Sequence, residues 1–182
     1  MRKPSRLALA ASAVCAALLP PAGSLAAPAG SAPASKRAPN TRALLRSREL
    51  WATIDVCDTP KQPNTIGVRG SMPGDGRARD QMSMSFHLQY LNAVNQWVEL
   101  EAGDSSGYIS VGGGAATRQG GWSFTLKPRE GKPAFMLRGV VDFKWSQGKT
   151  VIQTASRPTT ANHAATAGAE PKGFSAAACS VG

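Results

Sequence analysis

Histidine and cysteine are scarce in this chain: 182 residues hold 2 His and 3 Cys. Neither His87 nor His163 has a partner at metal-ligand spacing, so no structural or catalytic metal site is expected. No serine sits in a Gly-x-Ser-x-Gly elbow. The run Gly112-Gly113-Gly114-Ala115 lacks the lysine and following helix of a phosphate-binding loop and reads as a hairpin loop. Paired carboxylates can hydrolyse glycosides only when a cleft sets their separation. Asp55 and Asp58 instead flank Cys57, and Glu99 and Glu101 share a strand face, as solvated acids do. No cofactor is expected. Long apolar runs are absent too. The longest, Leu7 to Leu19, covers 13 residues, short of the roughly 20 that a membrane-spanning helix needs.

That short run has a different use. Arg2, Lys3 and Arg6 precede it, and Pro20, Pro21 and Gly23 break it, which is the layout of a secretory signal peptide. Cleavage after Ala26 places the small residues Ser24 and Ala26 at the −3 and −1 positions. Val14 stands before Cys15 where lipid attachment needs a small residue, and no Arg-Arg pair marks twin-arginine export. Residues 1–26 are therefore read as a signal peptide and the protein as secreted, extracellular or held in the cell envelope.

The net charge of +10 is concentrated near the N-terminus. From Leu50 onward there are 13 Lys and Arg against 10 Asp and Glu, a balance of +3. Lys36, Arg37, Arg42, Arg46 and Arg48 form a run with no acid before Glu49. The segment 27–48, rich in Pro, Ala and Ser, buries too little to offset its ordering entropy and is read as a disordered linker. A short helix over Thr41–Glu49 is the one element it could carry. Its basic residues either solubilise the chain or make weak contact with an anionic polymer.

Residues 49–182 read as strands. Met82, Met84, Phe86, Leu88 and Tyr90 alternate with Ser83, Ser85, His87 and Gln89, the period-two pattern of a half-buried strand. Phe135, Leu137, Val141, Phe143 and Trp145 repeat it against Arg138, Asp142 and Lys144, and Trp122, Phe124 and Leu126 repeat it again. Shorter candidates are Leu50–Cys57, Thr65–Gly70, Gln96–Leu100, Tyr108–Val111 and Thr150–Ala155. Turn residues separate them: Pro73-Gly74-Asp75-Gly76, Asn92 and Asn95, the glycine run, and Ser146-Gln147-Gly148-Lys149. About eight short strands at this spacing predict an antiparallel sandwich or barrel. Phe86, Leu88, Tyr90, Leu137, Val141, Phe143 and Trp145 are expected to share one core.

The tail 158–182 reads as loop, with Phe174 and Cys179 pinning its end to the domain. It is one candidate cover for Met136 and Val140, apolar residues on an outward strand face; a partner is the other, which makes the pair a candidate contact patch. Signal removal leaves two cysteines, Cys57 and Cys179, and one pair in an exported protein has a single intramolecular connectivity. The bridge would tie the two ends of the domain.

The segments LWATIDVCDT, TIGVRGSMPG, FMLRGVVDFKW and GFSAAACSV resemble secreted proteins of high-GC actinobacteria without an assigned activity. Over Trp51 to Cys179 that resemblance implies an immunoglobulin-like domain, so an all-β, immunoglobulin-like antiparallel sandwich is expected. It brings no functional residues. The expected function is a non-catalytic binding or adhesion module acting on a protein or an envelope polymer. A structural or inhibitor-like envelope protein and a hydrolase with an unrecognised site are the alternatives. Loops around Pro73–Arg79 and Asp104–Ala116 are the expected presenting surface.

Overall fold

The computed structural model describes residues 40–100, 105–127, 131, 133–163 and 166–182. Residues 1–39, which hold the expected signal peptide and most of the expected linker with Lys36 and Arg37, lie outside the described residues, as do Glu101 and Asp104. The first described element is α1 (Thr41–Arg46), capped by Asn40, whose side chain accepts from the Ala43 N–H. Strands follow as β1 (Trp51–Thr59), β2 (Gln62–Met72), β3 (Arg77–Leu91), β4 (Trp97–Glu99), β5 (Ile109–Gly114), β6 (Arg118–Thr125), β7 (Phe135–Gln147), β8 (Thr150–Pro158) and β9 (Cys179–Val181). All pair antiparallel. One sheet runs β1-β2-β6. The other runs β4-β3-β7-β8, with β5 also on β3 and β9 also on β7. The two sheets share one apolar core, which makes the domain an all-β sandwich.

The alternation places that core as expected. Phe86, Leu88, Leu137, Val141, Phe143 and Trp145 are buried, and Tyr90 packs half-buried against them. Trp145 also satisfies its one polar atom, donating from Nε1 to the Pro73 carbonyl at 2.9 Å. Tight connections fall where turn residues predicted them. Gln147 pairs with Thr150 around Gly148, which has a φ of 57°. The Asn92 side chain closes the β3–β4 return by accepting from Val94 and Gln96.

Four expectations need correction. The glycine run is not a loop: Gly112–Gly114 continue β5, where a Cβ on Gly113 would meet the Ala78 carbonyl at 2.5 Å, so glycine permits the close approach to β3. For the same reason the presenting loops shrink, since Arg77–Arg79 belong to β3 and Ile109–Gly114 to β5. The linker's last residues pack on the domain, with Leu44 buried and the Leu45 carbonyl accepting from Arg157. The tail is not wholly loop: β9 continues β7's edge, with Leu137 opposite Cys179.

The cysteines are bridged, and the reason they meet is a bulge. Along β1, Ala52 and Ile54 face the core opposite Gly70 and Val68, but Val56 pairs with Gly67 and Cys57 with Ile66. Asp55 is the extra residue. A bulge shifts strand parity by one, which turns Cys57 inward toward Cys179; strict alternation from Ala52 would have turned it outward. Gly67 makes room: a Cβ there would lie 2.5 Å from Asp55 Oδ1 and 2.9 Å from Val56. The disulfide therefore joins β1 of one sheet to β9 of the other.

Candidate functional site

The tail and the bulge build a polar cluster on the outer face of the three-stranded sheet. Asp55, 3% exposed, accepts from Arg69 Nε at 2.8 Å. Its backbone carbonyl accepts from Glu170 N, and Glu170 in turn takes Gln62 Nε2 at 2.9 Å. Ile54 and Ala176 exchange both backbone bonds, at 2.9 and 3.0 Å. His163 stacks on Trp51 at 4.3 Å between centroids and meets the Thr160 hydroxyl at 2.8 Å. Burial pushes the His163 imidazole below its ordinary value. Every described member has an internal partner, so the cluster holds the tail on the domain.

The outward face of the six-stranded sheet differs. Odd-numbered β3 residues and even-numbered β7 residues line it, because Gln89 pairs with Arg138, His87 with Val140, Ser85 with Asp142 and Ser83 with Lys144. The longer side chains there form one network. Arg138 lies over the Trp97 ring at 4.5 Å and donates Nε to Gln89 Oε1 at 2.8 Å. Gln89 donates to Glu99. His87 faces Glu99 with Nε2 and Asp142 with Nδ1, both at 3.6 Å. Lys144 caps the Tyr108 ring at 3.7 Å. Burial pushes the Tyr108 phenol up, and the nearby Asp142 carboxylate adds to that. Burial pulls the Arg138 guanidinium down, against the opposing pull of Glu99.

This arrangement is suited to holding a polar ligand. The two nitrogens of His87 point in opposite directions toward two carboxylates, so these three groups do not converge on one point as metal ligands must. Among the described residues no group of three His, Cys, Asp or Glu is placed to hold a metal ion. Two acids and two bases, Glu99, Asp142, Arg138 and Lys144, balance in charge. Tyr108 is exposed and Trp97 half-buried, one at each end.

Of the residues singled out in the sequence, His87, Glu99, Arg138, Asp142 and Lys144 are brought together here. His163 is remote from them in the tail cluster. Met136 and Val140 do not form one exposed patch: Met136 is 40% exposed, whereas Val140 is 6% exposed, covered at the centre of the face among longer side chains. Arg42, Arg46 and Arg48 are exposed on and just after α1. Trp97, Tyr108 and Gln89 were not anticipated as partners. The polar residues of β3 and β7 signalled Gln89's face, interrupted on β7 by Met136 and Val140, but not Trp97 on β4 or Tyr108 before β5, and which acid meets which base depends on a register the sequence does not display.

No protein family matches the chain, and no curated protein matches it. Among solved structures it is similar to Pseudomonas fluorescens alkylpurine DNA glycosylase AlkC bound to DNA containing an abasic site analog. The identity is 15% over 66% of this chain and 34% of that one, with a TM-score of 0.26. The chain thus spans about a third of that protein, and a likeness this slight carries no argument about fold or activity. Among the described residues no helix is long and apolar enough to cross a membrane.

Proposed function

We propose that this protein is an exported, non-catalytic binding module of the cell envelope, and that it presents the outward face of its six-stranded sheet to a polyhydroxylated polymer. The observation that carries the reading is the network from Trp97 through Arg138, Gln89, Glu99 and His87 to Asp142, with Tyr108 and Lys144 beside it. Rigid side chains with fixed donors and acceptors, bounded by aromatic rings, recognise ligands at low ordering cost. The balanced charge suits hydroxyl groups better than a strongly ionic ligand. A sheet face also suits an extended chain.

Export is supported by the tripartite N-terminal sequence and by the Cys57–Cys179 disulfide, since such bonds persist in oxidising compartments. The exposed Arg42, Arg46 and Arg48 would add a weak, salt-sensitive contact if the polymer bears anionic groups.

The test is cosedimentation of the mature domain with insoluble wall polysaccharide. The wild type should pellet with the polymer, and Trp97→Ala with Tyr108→Ala should release it while the circular dichroism spectrum is unchanged. Undiminished binding by that variant would remove this face from the reading. Turnover of esters, glycans or peptides by the purified domain would overturn its non-catalytic part.

A further inference from the structure

The outward face of the six-stranded sheet has a direction. Its two aromatic rings lie one at each end along the strands, not side by side across them. Trp97 faces outward because it stands opposite Leu91, two residues on from the outward pair of Gln89 and Glu99, and Arg138 lies over its ring. Tyr108 precedes Ile109, which packs toward the core opposite Met84, so the Tyr108 ring falls on the outward face, where Lys144 caps it. Arg138 and Lys144 are six residues apart on one strand, β7. A strand rises about 3.3 Å per residue, so the two ring-bearing ends are separated by about 20 Å. Between them the face is polar, with Gln89, His87 and Asp142 in place and Val140 covered. Across the strands, β8 brings no ring to the face. Its residues there are Ser156, opposite Asp142, and Thr154, opposite Lys144; both are exposed and end in a hydroxyl.

Resting on the polymer-binding reading above, we infer that the ligand is a straight, neutral, β-1,4-linked glycan chain that lies parallel to β3 and β7 and reaches from Trp97 to Tyr108. A pyranose ring has an apolar C–H face, which stacks on an aromatic side chain, and hydroxyls around its rim. Aromatic platforms about 20 Å apart therefore take two separated units of one chain. The polar groups between the platforms take the hydroxyls of the units in the middle, and Thr154 and Ser156 meet them from the β8 side. A β-1,4 linkage keeps a chain extended over that distance. An α-1,4 linkage coils it, so that it leaves a sheet surface before the second ring is reached. The fixed charges of the network, Glu99 and Asp142 against Arg138 and Lys144, cancel, which gives a chain of uniform charge no advantage. Once one ring is engaged, the other is met at high effective concentration. A chain long enough to touch both thus binds more tightly than one that touches either alone.

Titration calorimetry of the mature domain with soluble β-1,4-linked glucose oligomers of increasing length tests this. Affinity should step up by about tenfold at the length that first spans about 20 Å and level off beyond it. Trp97→Ala alone and Tyr108→Ala alone should each abolish the step, bringing the longest oligomer down to the affinity of the shortest. Tyr108 is exposed and precedes β5, so Tyr108→Ala carries the comparison if Trp97→Ala lowers the thermal melt. α-1,4-linked glucose oligomers should show no step with the wild type. A wild type that pellets with insoluble polysaccharide but binds every β-1,4 oligomer equally overturns the inference and leaves the binding reading standing. So does a step that survives in Tyr108→Ala, or one of the same size with α-1,4 oligomers. A wild type that binds neither polymer nor oligomer removes both.

Discussion

Opening the Cys57–Cys179 bridge should be among the most costly single changes to this domain. The two residues are 122 apart in sequence, so the bridge closes nearly the whole folded chain. The chain-entropy expression for a loop of that length gives a loss of about 16 cal/mol/K from the unfolded state, or about 5 kcal/mol at room temperature. Typical domains are stable by only about 5 to 15 kcal/mol. The native state itself should change little on reduction. Ile54 and Ala176 keep their paired backbone bonds, Glu170 still donates to the Asp55 carbonyl, and Thr159 Oγ1 still donates to the Ala177 carbonyl. The cost therefore falls on the unfolded side. Reduced wild type is the cleanest comparison, because both sulfurs and their packing remain. With a urea dependence of about 2 kcal/mol/M, the midpoint should fall by about 2.5 M on reduction. Cys57→Ala with Cys179→Ala should fall somewhat further, since Cys179 is buried. A reduced protein whose midpoint stays within about 0.5 M of the oxidised one would refute the loop-closure reasoning, because the native contacts alone would then be holding the ends.

Other consequences are measurable by the same unfolding assay. Phe143→Ala removes a fully buried ring between the sheets and should cost about 3 to 5 kcal/mol; a cost below about 1 kcal/mol would mean the two sheets do not pack through it. Asp55→Ala strands Arg69 over the outer face of the β1–β2–β6 sheet, and with Arg69 partly open to solvent the loss should be about 3 kcal/mol, accompanied by early proteolysis of the tail; a tail that stays protected would detach the ion pair from that role. Burial, with Asp80 beside it, raises the Asp75 carboxyl above 3.8. A raised native value means its contribution is full below the unfolded value and is lost as pH rises through the native one. Thermal melts should therefore show wild type losing ground to Asp75→Asn as pH climbs from about 3.8 upward, and a constant difference would sink the assignment.

How far the sequence could be read depended on which physical rule each feature obeyed. The core strands were legible because β3 and β7 each keep strict parity over a long run, so Phe86, Leu88, Phe143 and Trp145 identified their own face. The hairpin at Gly148 was legible from turn chemistry. The bulge at Asp55 was not, since nothing in Thr-Ile-Asp-Val-Cys marks where parity slips; the disulfide was deduced from cysteine count, and the parity change that permits it emerged only with the β1–β2 register. Strand β9 was missed because three residues are too few to show a period. Glycine misled at 112–114, where it serves close strand approach and not a turn. The polar network was half-visible: the alternation put His87, Gln89, Arg138, Asp142 and Lys144 on an outward face, but ordinary solvation explained each of them singly.

That last point bears on what the outward face is for. A solvated face needs no organisation; its side chains can move independently and lose little by doing so. Here Gln89 both accepts from Arg138 and donates to Glu99, which fixes its amide in one orientation and links β7 to β4 across β3. Arg138 is held a second time by Trp97, and His87 by acids on either side. Polar contacts on a part-exposed face are each worth little to stability by themselves, so folding alone gives a weak reason for these to interlock. A binding surface gives a stronger one, because side chains already fixed do not lose that freedom again when a ligand arrives. The network's value to stability and its value to binding can be separated by experiment. Gln89→Ala should barely move the urea midpoint, since its contacts lie on a part-exposed face, yet it should weaken polymer binding as severely as loss of Trp97, because it leaves Arg138 and Glu99 free to move. If Gln89→Ala instead lowers stability by several kcal/mol and leaves binding untouched, the network is a strut between strands and the ligand must meet the protein elsewhere.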